Sequence, residues 1–203
     1  MLEPRPSWHL TNLLLIKHSC LFRKYVLYCY MIRFDHHTQF ITVTNLNWLP
    51  ILKSDFHKQI LLEAIKHRVQ QQAITVYAFV IMPNHFHVIW QLHDGIKKDQ
   101  FQRDFLKFTS RSILKFMKMN DDTLLPKVKV SDKDREYQIW ERNSLSIDIY
   151  SMPFFFQKFN YIHNNPLQSK WNLAKLPEKY YYSSANFYFS GIDSFGILTH
   201  FNE

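Results

Sequence analysis

The order of hydrophobic patterns along this chain predicts an α+β sandwich: an antiparallel sheet with helices packed on it. Three observations predict it. A strand-type alternation is followed by an amphipathic helix, two β-rich runs meet at a tight turn, and a second helix leads to a short strand segment and a final helix.

Taken in order, Thr38–Thr44 (TQFITVT) places β-branched and aromatic residues in alternation, the mark of a strand. Ser54 or Asp55 offers an N-cap for a helix over 56–70, where Ile60, Leu61, Ala64, Ile65 and Val69 share one face. Two β-rich runs, 74–82 and 86–92, are hinged at Pro83-Asn84 and read as an antiparallel pair. A second amphipathic helix is expected over 100–119, with Phe101, Phe105, Phe108 and Ile113 inward. Its other face carries Lys98, Arg103, Lys107, Arg111, Lys115 and Lys118. Residues 120–135 are polar and charged and predict a mobile loop, and 137–150 a mixed strand and turn segment. Pro153 can open a third helix that runs to about Asn165 and stops at Pro166. The aromatic-rich tail from Trp171 closes with a short helical or irregular stretch. This order is that of a ferredoxin-like or RNA-recognition-like sandwich.

Composition sets the wider limits. Hydrophobic residues at 46% can bury a core, so global disorder is not expected. With only three glycines the chain has no Gly-rich phosphate-cradling loop, which excludes P-loop and dinucleotide folds. The net charge of +8, with a pI near 9.4, attracts polyanions, of which nucleic acid is the commonest. Cys20 and Cys29 do not make a disulfide scaffold, and a reducing cytoplasm is the expected location, beside the nucleoid. Residues 10–30 are apolar but broken by Lys17, His18, Arg23 and Lys24, so neither a membrane span nor a signal peptide is expected. Residues 1–30 differ in character from the rest and are expected to be a poorly ordered extension. A start codon assigned too early would produce such an extension, since Met31 stands just before the first strand. Residues 31–203 are expected to form a single domain.

Two local patterns carry chemistry. In a strand, residues two apart point to the same side, so His85 and His87 of His85-Phe86-His87 can converge on one ion, although such a tripeptide also arises by chance. On a helix, positions four apart share a face, which sets Tyr161 beside Asn165 in YIHNNP. Asn164 or Asn165 could equally serve as that helix's C-cap. The basic face of the second helix, with Arg135, Arg142 and Lys158, could hold a DNA backbone or be ordinary solvated surface. Abundant aromatic side chains could stack splayed bases.

Together the segments YAFVIMPNHFHVIWQL, EYQIWERNSLSIDIY, YIHNNP and YYYSSANFY resemble the REP-associated tyrosine transposases, which belong to the single-tyrosine group of HUH endonucleases. The resemblance runs from about residue 37 to the C-terminus, and the pairing of PNHFH with YIHNNP about 70 residues later is its most specific part. It implies that His85 and His87 are metal ligands for Mg²⁺ or Mn²⁺, that Tyr161 on the C-terminal helix is the nucleophile, and that Asn165 helps to bind the metal. It further implies single-stranded DNA in imperfect hairpins as substrate, cleaved through a 5′-phosphotyrosine link, by a monomer or a homodimer. Arg103, Lys107, Arg111, Lys115, Arg142 and Lys158 are the expected DNA-binding residues. His163 matches the same pattern but should point away from Tyr161, and Tyr180, Tyr181 and Tyr182 read as packing, with Ser183-Ser184 capping a helix. Three rival readings remain: a domesticated, non-catalytic hairpin-binding protein, a relaxase or replication initiator, and a phosphoesterase that uses water as nucleophile.

Overall fold

Strand β3 (His85–Leu92) is buried along nearly its whole length because helices cover both of its faces. In the computed structural model, which describes residues 38–203, it pairs antiparallel with β2 (Ile74–Ile81) on one side and β1 (Thr38–Thr44) on the other. A fourth strand, β6 (Leu145–Asp148), adds antiparallel to the outer edge of β1. The spatial order β2-β3-β1-β6 is the one a ferredoxin-like βαββαβ chain produces, as the sequence predicts. Among the described residues, 38–201 form one compact unit. The expectations for residues 1–30, including Cys20 and Cys29, lie outside the described residues. Among the described residues no helix is long and apolar enough to cross a membrane.

Alternation sorts β3 into two sets. Phe86, Val88, Trp90 and Leu92 enter the main core with α1 (Asp55–Gln70) and α2 (Lys98–Met119). Trp90 meets Phe101 and Phe105 edge-on at 5.3 and 5.5 Å, and Phe86 meets Phe105 at 6.3 Å. Such aromatic pairs add about 0.5–1.5 kcal/mol each beyond the area they bury. The alternate residues, His85, His87 and Ile89, look the other way, toward α3 (Met152–Asn164), whose Phe155 and Ile162 are fully buried. Pro153 stands in the first turn of that helix, where its missing N–H removes no helical bond.

Helix α1 forms where the sequence predicts, with Leu61, Ala64 and Ile65 buried and Ile60 and Val69 at the edge of the core. Ser54 takes the N-cap position without a side-chain capping bond, while Asp55 accepts from Lys58 Nζ at 2.8 Å. Two expectations need correction. Phe108 is 53% exposed rather than inward; the buried row of α2 is Phe101, Phe105, Thr109, Ile113 and Met117. Each step of four residues rotates about 40° around a helix, so the contact stripe has turned past the direction of Phe108. The second correction concerns 120–135. A 3-10 turn at Leu125–Val128 anchors the segment through fully buried Val128, and β4 (Lys129–Asp132) and β5 (Arg135–Tyr137) then form a small hairpin. Its charges hid it from periodicity because most of its side chains meet solvent, where Lys129–Glu136 and Arg135–Asp134 pair, while Tyr137 packs against the core.

Phe105→Ala should destabilise the fold by about 3–5 kcal/mol, whereas Phe108→Ala should stay within about 0.5 kcal/mol. Urea denaturation of the two variants beside the parent measures the contrast. Equal losses would reject the assignment of the buried row.

Candidate functional site

His85 and His87 open β3 on the face toward α3, with ring centroids 4.7 Å apart and only 5% and 2% of their surface exposed. Each ring is oriented through Nδ1. His85 Nδ1 lies 2.6 Å from Asn84 Oδ1, and the Asn84 amide nitrogen donates to the Trp48 carbonyl at 3.3 Å. That second bond identifies Oδ1 as the end facing the ring, so His85 Nδ1 donates and its Nε2 keeps a free lone pair. His87 Nδ1 lies 2.8 Å from the Thr42 hydroxyl of β1, its direct cross-strand partner. His87 Nε2 is buried and has no hydrogen-bond partner.

Both imidazoles are held neutral. Burial pushes His85 down to about 4, the cation of Lys170 pushes the same way, and the Asn165 side chain opposes them. Burial also depresses His87 well below the usual histidine range, with His85, Lys158 and Lys170 adding to it. A neutral imidazole with one nitrogen already hydrogen-bonded offers its other nitrogen to a cation.

The third part comes from α3 and the turn that follows it. Asn165 begins a 3-10 turn, Asn165–Leu167, and is 1% exposed, yet its Oδ1 has no partner. Asn165 holds the C-cap position through its backbone N–H, which donates to Ile162 O, while the Asn164 amide returns to Asn160 O at 2.8 Å. One turn before Asn165, Tyr161 stands edge-on to His87 with centroids 5.1 Å apart and remains 45% exposed. Phe40 backs this corner, stacked on His87 at 5.4 Å and edge-on to Tyr161 at 6.1 Å. Two imidazoles, one amide oxygen and one accessible phenol therefore meet between sheet and helix. Each buried polar atom left unpaired costs about 1–3 kcal/mol, so unpaired His87 Nε2 and Asn165 Oδ1 in one place call for a ligand. Among the described residues no three His, Cys, Asp or Glu side chains gather around one point. The donors here are two imidazoles and an amide, which leaves room for waters and suits a hard divalent cation better than structural zinc.

The basic residues divide. Lys158 lies on α3 with Nζ 5.1 Å from the Phe40 ring centre, beside the site, and Lys170 is close enough to act on both imidazoles. Arg103, Lys107, Arg111 and Lys115 are exposed on α2, which packs on the opposite face of the sheet from the histidines. Arg142 pairs with Asp132 of the hairpin. His163 points away from Tyr161: its Nε2 lies 2.8 Å from Ser184 Oγ, its ring packs on Phe159 at 4.2 Å, and burial lowers it to about 3. Tyr180 donates to Ile81 O at 2.8 Å and Tyr182 is buried, while Tyr181 is 60% exposed. Ser184 holds the N-cap position of α4 (Ala185–Ser190) without a side-chain capping bond; its hydroxyl accepts from Phe79 N at 2.9 Å instead. Sequence reasoning missed Phe40, Thr42, Asn84, Lys170 and Trp171. Asn84 stands beside His85 in sequence and could have been suspected, but Thr42 meets His87 only through strand register.

No protein-family model and no curated protein matches the sequence. Among solved structures, the chain is similar to a REP-associated tyrosine transposase bound to a REP hairpin, with a TM-score of 0.56 and 19% identity over 86% of this chain and 91% of that one. A putative transposase from Deinococcus radiodurans aligns with a TM-score of 0.41 and 12% identity, over 67% of this chain and 93% of that one. The first of these likenesses establishes a shared fold.

The buried histidines make stability depend on pH. In the unfolded chain a histidine protonates near about 6.5. In the native chain His85 does so only at about 4 and His163 at about 3. The unfolded state therefore binds more protons over that window, and stability falls as pH drops below about 6.5. Thermal unfolding at pH 7 and at pH 4.5 should show the loss, and His163→Gln, which cannot titrate, should shrink it. A pH-independent midpoint for the parent would contradict the assignment.

Proposed function

We propose that this chain is a transposase-type endonuclease that cleaves and rejoins single-stranded DNA through Tyr161, acting on hairpins like those of repetitive extragenic palindromes. The observation that carries the reading is the meeting of Tyr161 with His85, His87 and Asn165, two of whose polar atoms are buried without a partner. The hairpin part rests on the fold shared with a transposase bound to a REP hairpin.

His85 Nε2, His87 Nε2 and Asn165 Oδ1 would hold Mg²⁺ or Mn²⁺. When bound, that cation neutralises a scissile phosphate and orients its oxygens. Asn84 and Thr42 keep both rings turned so that their Nε2 atoms face the site. Tyr161 Oη attacks the phosphorus and its proton passes to solvent, which reaches this half-exposed side chain. The bond from phosphorus to the 3′-oxygen breaks, that oxygen leaves as a hydroxyl, and the 5′-phosphate stays on Tyr161. The covalent link conserves the phosphodiester, so a later 3′-hydroxyl rejoins the strand by the reverse attack without a nucleotide cofactor. Lys158 and Lys170 supply positive charge for the phosphates on either side. The exposed cations of α2 would meet more distant parts of a folded DNA, and the protein would act in the cytoplasm as a monomer or homodimer.

The test is to trap the adduct. Incubation with single-stranded DNA that folds into an imperfect palindromic hairpin with a single-stranded flank should give a protein–DNA species that survives denaturing electrophoresis and requires Mg²⁺ or Mn²⁺. Tyr161→Phe should abolish the adduct while hairpin binding persists, and His85→Ala or His87→Ala should lose it as well. Cleavage undiminished in Tyr161→Phe, or undiminished in EDTA, would overturn the assignment. Hairpin binding with no adduct in the parent protein would favour a non-catalytic hairpin-binding protein instead.

Thr42→Val removes only the hydroxyl beside His87 Nδ1. It should weaken Mn²⁺ binding about 10- to 100-fold, as loss of a ligand-orienting partner does, with little change in the fold. Titration calorimetry compares the two proteins, and equal affinities would exclude Thr42 from orienting the ring.

A further inference from the structure

The residues on the β1 side of His85 serve nothing described so far. Trp48 is 61% exposed, although its indole is the kind of surface folding normally hides. Its backbone lies in the left-handed region at φ 56, directly after Asn47 at φ 50. Asparagine tolerates that region, but a bulky side chain seldom enters it unless its surroundings dictate the geometry. Here they do. Trp48 N donates to Asn45 O at 3.0 Å, Asn47 N donates to Glu141 Oε1 at 2.7 Å, and the Trp48 carbonyl accepts from Asn84 Nδ2. Asn84 thereby ties one turn to two things, the His85 ring and the Trp48 backbone. The indole stands edge-on to His85 with centroids 6.2 Å apart. On another side of His85 lies Trp171 at 5.7 Å, with Lys170 Nζ 5.5 Å from the Trp171 ring centre.

We propose that Trp48 is the platform on which an unpaired base of the bound strand stacks, next to the nucleotide whose phosphate reaches the histidine pair. The inference rests on the reading of the site as one for single-stranded DNA, and it deepens that reading by naming how the strand is held. The occupant follows from charge and shape. An exposed aromatic ring and a nearby lysine beside a pair of neutral imidazoles match a polymer that alternates bases with phosphates. A paired duplex presents no free base face to a fixed indole, so the platform selects unpaired nucleotides. The constrained backbone keeps the indole in place before DNA arrives, which lowers the ordering cost of binding.

The probe is a short homopolymer of 5-iododeoxyuridine, bound to the Tyr161→Phe protein so that no cleavage intervenes. Near-ultraviolet light joins this base to an aromatic ring stacked on it, and peptide mass spectrometry locates the link. The link is expected on Trp48. In the same background Trp48→Ala should weaken binding of the oligonucleotide about 5- to 100-fold with the salt slope unchanged, because stacking neutralises no phosphate. Trp48→Phe should recover most of that affinity. A link found only on other residues, or an affinity untouched by Trp48→Ala, would overturn the proposal. The two readings fail separately. An adduct that forms in the parent protein while Trp48→Ala binds normally removes the stacking platform alone. Stacking on Trp48 in a protein that never forms an adduct removes the cleavage reading alone.

Discussion

Strand β3 is wanted by two cores at once, and most of the molecule follows from how it answers both. Its even-numbered residues, Phe86 to Leu92, carry the apolar mass that α1 and α2 need. Its odd-numbered side is left for α3, and two of the residues there are histidines rather than aliphatics. A one-residue slip would put imidazoles among the aromatics of the main core and Phe86 at the site, so the register against β1 and β2 is strongly specified. The same register lays Thr42 beside His87. Orientation of the ring is thus a by-product of the pairing that stabilises the sheet.

Burial then determines the chemistry available on that side. Histidine in water spends much of its time protonated near neutral pH, and a protonated ring cannot coordinate. Removing both rings from water keeps them neutral, at the cost of polar atoms that no protein group satisfies. The fold tolerates this because α3 is anchored by Phe155, Phe159 and Ile162, which are buried along the helix. Of the four side chains that meet there, only Tyr161, in the last turn of the same helix, is exposed to solvent, where a long polymer can reach it.

Charge is distributed on a different logic. The net charge of +8 draws polyanions from any direction, but the exposed cations of α2 and the lysines beside the site lie on opposite faces of the sheet. A basic surface alone would not have led to the site. The indoles of Trp48 and Trp171 around His85 mark it more narrowly, because they put aromatic rings on which a base can stack beside the imidazole pair.

The sequence by itself determined the α+β order and most element positions, because period-2 and period-3.6 patterns record which residues must be hidden. Spacing set His85 beside His87 and Tyr161 beside Asn165 on shared faces, but it was the resemblance of the surrounding motifs to REP-associated tyrosine transposases that singled these residues out. It misplaced Phe108, because a stripe that winds around a helix cannot be read from spacing when the curvature of its partner is unknown. It missed the hairpin at 129–137, because strands this short with most side chains in solvent leave no hydrophobic alternation. Only the tertiary structure brought the strand's imidazoles to the helix's phenol and amide, and turned Thr42, Asn84 and Trp48 toward them. Apart from Asn84, those meetings join residues far apart in the chain, and they exist only once the strands have paired and α3 has closed over the sheet.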